Sequence, residues 1–265
     1  MIEHSLRALL DQDTDIRLEI VVMAAACTDD TARIAGGVAP RAAERGHRLR
    51  TIEVDTADKA AALDAGDAAL LDIDAAVTPA IGTLYLDADA VLSSGVVRGC
   101  ASAIDRGVHL AAPGVSFRSP RGSTSRRLLR VYQILPNVRD SPSDRGCYLV
   151  SALGRRRWQH FPPALPDDAF VRAQFARSET AIVAAETSLV HFPDDNQLVA
   201  VVARWRRGNA ALRATRPPHP IDRWARCSGL WAVARTPSAW LALPTFLFTR
   251  WRASRHTCHS WVRGR

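Results

Sequence analysis

The segment Leu84-Tyr85-Leu86-Asp87-Ala88-Asp89-Ala90 decides the reading of this chain. Its apolar residues make a short strand, and the strand ends on two carboxylates. In open α/β sheets, ligands bind at the carboxyl ends of strands. Two carboxylates held there offer hard oxygen ligands, the kind that Mg²⁺ and Mn²⁺ prefer. A lone Asp-x-Asp also arises in surface turns, so its surroundings carry the weight.

Upstream, Ile2, Leu6, Leu9 and Leu10 have helical spacing, and residues 18–26 form an apolar run that reads as a buried strand. Thr28 is placed to cap a helix whose first turn holds Asp29 and Asp30. Residues 49–54 alternate as a strand does, and the alanine-rich residues 59–69 read as a helix. Downstream, residues 96–104 read as a helix and 108–112 as a strand. This β-α-β-α rhythm predicts an α/β fold with a mixed, mostly parallel sheet flanked by helices. Residues 113–125 and 137–146 read as loops, on either side of a helix at 128–135. A strand at 148–150, a short helix at 151–158, a strand at 181–192 and a basic amphipathic helix at 198–212 follow. Arg216-Pro217-Pro218-His219-Pro220 reads as a linker, dividing residues 1–215 from a helical appendage at 216–265.

Five of the seven tryptophans fall in that appendage, among arginines. A membrane-spanning helix needs roughly 20 apolar residues. Arg235, Pro237 and Pro244 interrupt the apolar stretch and argue against a span. Tryptophan with flanking arginine suits peripheral contact with a membrane interface through residues 221–265, and a helical pair packed on the main domain is the alternative.

The chain has 265 residues, 47% of them hydrophobic, enough for one large α/β domain and against wholesale disorder. The net charge of +8 is compatible with anionic partners, but no nucleic-acid-binding motif accompanies it, so no nucleic-acid partner is expected. Five scattered cysteines without a CxxC pair argue against a disulfide framework or zinc site and fit a reducing compartment. Met1-Ile2-Glu3-His4 does not open a signal peptide. A cytoplasmic location is expected, at the cytoplasmic face of a membrane where the tail engages one.

The Asp-x-Asp strand has company in the right order. Cys27-Thr28-Asp29-Asp30-Thr31 follows the first strand, and Asp58-Lys59-Ala60-Ala61-Ala62-Leu63-Asp64-Ala65-Gly66 opens the next helix. Leu165-Pro166-Asp167-Asp168-Ala169-Phe170-Val171-Arg172 supplies a later acidic pair, and Arg204-Trp205-Arg206-Arg207-Gly208-Asn209 lies on the basic helix. Together these resemble the inverting family 2 glycosyltransferases of the GT-A fold, over roughly residues 2–213. The resemblance implies an enzyme that moves a sugar from a nucleotide-diphospho-sugar donor to an acceptor hydroxyl with Mg²⁺ or Mn²⁺. The acceptor, whether glycan, lipid or small molecule, is not legible.

The resemblance also implies roles. Asp89 is the principal metal ligand; Asp87 contacts the metal or the nucleotide ribose, and His191 is a further candidate ligand. Asp168 is the general base, oriented by Asp167; on their own, both read equally well as first-turn acids of a helix. Lys59, Arg204 and Arg207, with Arg206 between, are candidates to hold the donor phosphates. Gly146, Cys147 and Tyr148 match an acceptor-site loop, where Gly146 would let the sugar approach the backbone. Trp205 is a candidate stacking surface, with a core role as the alternative.

Two features depart from the family pattern. Family members place a strand ending in Pro-x-x-Asn-Glu before the first helix, and here Met1 stands there. Loss of that interior strand is expected to bare apolar surface on its neighbours, and a start upstream of Met1 is the favoured explanation. The acid that reads the nucleobase is replaced by Ala24, which leaves the base undefined. An incomplete, inactive relative that binds nucleotide sugar, membrane or a partner is the alternative function.

Overall fold

The computed structural model describes residues 1–71, 80–163, 165–215, 229 and 231–256. The expected linker at 216–220, Trp224, Trp261, Cys227 and Cys258 lie outside the described residues.

Helix α1 (Ile2–Leu10) leads into β1 (Glu19–Ala25), and the short helices α2 (Thr31–Gly36) and α3 (Ala39–Glu44) connect it to β2 (Arg48–Val54). β1 and β2 pair in parallel, as a helical crossover dictates. Leu6 and Leu10 of α1 pack with Ala35, Val38 and Ala42, over Ile20, Val22 and Leu49 of the two strands. The cap of α2 differs from the expected Thr28: its N-cap is Asp30, and the Asp29 Oδ1 accepts the Thr31 N–H at 3.2 Å. Helix α4 (Lys59–Leu71) lies against β1, where Gly66 leaves room for the Met23 side chain.

A second sheet has the order β3 (Gly82–Leu86), β6 (Cys147–Ser151), β5 (Leu110–Arg118), β7 (Thr180–His191), β4 (Val91–Leu92). Only β5 and β7 are parallel in it; the β3/β6, β6/β5 and β7/β4 pairs are antiparallel. The fold is thus mixed α/β, but the expected mostly parallel sheet is corrected. After β5 the chain runs through α6 (Ser123–Tyr132) and α7 (Pro136–Arg139) and returns as β6, antiparallel to both β5 and β3; the sequence rhythm does not encode that direction. Helix α5 (Val96–Asp105) covers this sheet with Val96, Val97, Cys100 and Ala101.

Among the described residues β1 pairs only with β2, and β3 only with β6. Both open onto one cleft of about 2390 Å³. Every residue of β1 except Ala24, and every residue of β3 except Tyr85, is only partly buried. Both strands therefore leave apolar surface open to the cleft.

Strand β5 continues through Pro113 to Arg118, where the sequence suggested a loop. Pro113 is tolerated because the ladder is already irregular there: Pro113 faces Val183 and Gly114 faces Thr187, so three residues of β7 bulge out. The bulge carries Glu186, whose carboxylate accepts Ser93 Oγ–H at 2.6 Å and the Gly95 N–H at 3.1 Å. Helices α8 (Ala152–Arg155), α9 (Asp167–Arg172) and α10 (Leu198–Thr215) follow their strands and loops.

The tail folds as α11 (Pro237–Trp240) and α12 (Leu243–Ser254). Ala239 and Ala242 pack on Val131, and Ala253 joins Leu128, Leu129, Leu198 and Val202. Among the described residues no helix is long and apolar enough to cross a membrane.

Candidate active site

Strand β3 delivers Asp87 to the cleft, and the turn is fastened when the Asp87 N–H donates to the Gly146 carbonyl at 2.8 Å. The first residue of α4, Lys59, reaches across. Its Nζ lies 2.7 Å from Asp87 Oδ1 and 2.8 Å from Asp167 Oδ1. One ammonium therefore joins the strand tip to the acidic turn at the start of α9. Burial works against its charge, but Asp167 and Asp87 outweigh that and hold the Lys59 ammonium well above its ordinary value. The other oxygen of Asp167 accepts the Tyr148 hydroxyl at 3.0 Å, and Tyr148 stacks on Tyr85 with centroids 5.1 Å apart.

Asp168 sits beside this bridge. Its Oδ1 accepts the Ala169 N–H at 2.7 Å and its Oδ2 accepts the Asp144 N–H at 2.5 Å. Burial, then the charges of Asp144 and Asp167, push the Asp168 carboxyl up to about 7, against the pull of the Asp144 N–H and Lys59. Each oxygen keeps a lone pair, and both acids line the cleft.

Asp89 also lines the cleft, and burial, then the neighbouring Asp87, raise its carboxyl. His191, the last residue of β7, lines it too; its buried Nε2 has no hydrogen-bond partner among the described residues, and its ring is close enough for its charge to act on Asp89. Arg204 of α10 lines the same space, where Asp87 and Asp89 act on its charge against the larger effect of burial. Among the described residues no group of three or more His, Cys, Asp or Glu side chains forms a cation cage.

Four candidate residues sit elsewhere or serve otherwise. Arg207 is exposed and donates to the His256 carbonyl at 3.2 Å, on the α12 side of its helix rather than the cleft side. Cys147 is fully buried in the core with Leu149, Val96 and Cys100, because strand alternation turns it away from the face that Tyr148 shares. Gly146 borders the cleft, but its φ of 63° and the space a Cβ would need explain it otherwise: that atom would lie 2.9 Å from Val190 Cγ1 and 3.0 Å from Ala90 Cβ. The glycine lets the Asp87–Ala90 turn close. Trp205 takes the core alternative, stacked on Tyr132 at 5.5 Å with Phe192 alongside, while one side still borders the cleft.

Asp144 was not anticipated from sequence, and Arg145, which precedes Gly146 in the acceptor-loop match, was not anticipated as an anchor. Asp144 has φ of 60°, which aims its N–H at Asp168. Arg145, only 2% exposed, donates to the carbonyls of Ser141, Pro113, Val138 and Arg139 and anchors that loop under the site. Asp and Arg in a Ser/Pro turn carry no signal of either task. No model of a known protein family matches this chain, and no curated protein matches it in sequence.

Proposed function

We propose that the chain is an inverting glycosyltransferase of the GT-A fold, similar to family 2, that moves a sugar from a nucleotide-diphospho-sugar to an acceptor hydroxyl. The observation that carries this reading is the Lys59 bridge between Asp87 and Asp167, which joins a strand-end acid pair and a second acid pair in one cleft. In this reading the acceptor O–H gives its proton to Asp168 as its oxygen bonds to the anomeric carbon. The bond from that carbon to the diphosphate oxygen breaks, and the nucleoside diphosphate leaves. A carboxyl poised near neutrality suits a general base, and Asp168 is held by two main-chain N–H groups rather than by its own helix alone. Lys59 fixes Asp167 and Asp87, Tyr148 fixes Asp167, and Arg204 is placed to hold diphosphate oxygens.

The donor set fits Mg²⁺ or Mn²⁺ only in part. Asp89 and the unpartnered His191 Nε2 are the residues that would hold the cation, with Asp87 engaged by Lys59. Such ions are commonly held by one or two carboxylates and completed by substrate phosphates. When bound, the cation would offset negative charge on the departing diphosphate.

The test is release of nucleoside diphosphate from a panel of UDP- and GDP-sugars, supplied with either cation. Asp89→Ala is expected to lose about 10²–10³-fold of the rate with its thermal midpoint kept. Asp168→Asn is expected to lose about 10²–10⁴-fold while still binding donor. Full activity in either variant contradicts the role assigned to it.

The unpaired edges of β1 and β3 favour a second reading, a nucleotide-sugar or partner binder without turnover. Donor binding by this chain with no release of nucleoside diphosphate would favour the binder.

A further inference from the structure

Helix α12 keeps one side on the domain and turns the other outward. Thr249 and Ala253 are buried, whereas Leu247, Phe248 and Trp251 are exposed by 57%, 55% and 49%. These three fall on one helical face, and Phe248 and Trp251 stack with centroids 5.8 Å apart. Leu241, at 83% exposed, precedes the helix, and Trp240 and Trp231 are also exposed. The Trp240 indole donates to the Val233 carbonyl at 3.0 Å, which lays it over the turn that follows Trp231.

Arginines accompany these rings. Arg255 lies 4.2 Å from the Trp251 centroid, Arg252 6.0 Å from Phe248, and Arg235 3.3 Å from Trp231. Residues 231–256 contain four arginines and no Asp or Glu. A contiguous exposed apolar patch marks an interaction site. Aromatic rings with guanidinium groups at their edges suit the headgroup level of a bilayer, where the ring is apolar and the charge meets lipid phosphate. A helix of 12 residues is about 18 Å long, too short to span and long enough to lie in the interface.

We propose that the outer face of α12, with Leu241 and the stacked arginines, is a docking surface for an anionic lipid bilayer. The helix lies in the plane of the interface with Leu247, Phe248 and Trp251 inserted and Arg252 and Arg255 on phosphates. Positive charge without any acid on this stretch selects the anionic surface over a neutral one. This inference is independent of the activity of the cleft.

The full chain is mixed with vesicles of phosphatidylcholine, alone or doped with phosphatidylglycerol, and pelleted, with tryptophan emission read in parallel. Binding to the doped vesicles, a blue shift on binding and weakening by salt are expected. Arg252→Gln with Arg255→Gln is expected to lower the vesicle partition constant about thirtyfold, roughly fivefold per arginine. Phe248→Ser with Trp251→Ser is expected to abolish binding, and its thermal midpoint stays unchanged because both side chains are exposed. No binding, or equal binding to neutral vesicles, overturns the proposal. So does lipid-free self-association lost in the Phe248/Trp251 variant, which would assign the face to a second copy of the chain.

Discussion

Asp144 holds a left-handed backbone that Asp adopts more readily than most residues but still at some cost. In that conformation its N–H fixes Asp168, and its own carboxylate adds a like charge. Asp168 also faces Asp167 and Lys59, while Tyr132 and Arg145 face Asp144. Asp144→Asn keeps the N–H and the tolerance for positive φ and removes the charge. Asp168 should then titrate below its present value of about 7, read by carbon NMR of the labelled carboxyl. An unmoved titration would mean that the two acids do not interact. The sign for stability follows from the raised value. An unfolded Asp titrates near ~3.9, so the contribution of Asp168 is full below that pH and is lost as pH rises through about 7. Asp168→Asn should flatten the fall in thermal midpoint across that window. Asp87, Asp89, Asp167 and Asp168 were legible because each ends a strand or opens a helix. Asp144 was not, since Asp in a Ser/Pro turn is ordinary turn chemistry.

At the scale of elements, the alternation of apolar runs and helical periods located most strands and helices. It failed where tertiary context overrides local signal. Pro113 looked like a strand end, yet the β7 bulge accommodates it. The loop after α7 has little regular structure, and Arg145 serves as its scaffold by clamping four carbonyls, one from β5, two from α7 and one from the loop. Burial lowers the Arg145 guanidinium to about 10, against the opposing charges of Asp144 and Asp140. Hydrogen bonds to charged groups contribute ~1.5–3 kcal/mol each, and they are not additive. Arg145→Ala should therefore cost at least ~3 kcal/mol in urea unfolding, and Arg145→Lys should recover only part because an ammonium lacks the planar fork. A loss under roughly 1 kcal/mol would contradict the clamp. Among the described residues β1 and β3 stand in separate sheets, a division that the β-α-β-α rhythm did not show.

Over the whole molecule, charge is divided against its sum. The chain is +8, but around the candidate site the carboxylates of Asp87, Asp89, Asp144, Asp167 and Asp168 face Lys59 and Arg204, with Arg17, Arg48, Arg155 and Arg156 elsewhere on the cleft wall. The arginines stand mostly outside it, on α10, α12 and the surface loops. Net charge read from sequence pointed to anionic partners without saying where, because composition does not locate charge. Carboxylates repel a bare diphosphate, so in the proposed reading the donor is expected to enter with a divalent cation. The most direct measurement is calorimetric titration of the chain with UDP and with GDP, in Mn²⁺ and in EDTA. The account predicts that one nucleotide binds in Mn²⁺, that EDTA abolishes the binding, and that Asp89→Ala does the same. No binding of either nucleotide, or binding that EDTA and Asp89→Ala leave intact, would contradict it.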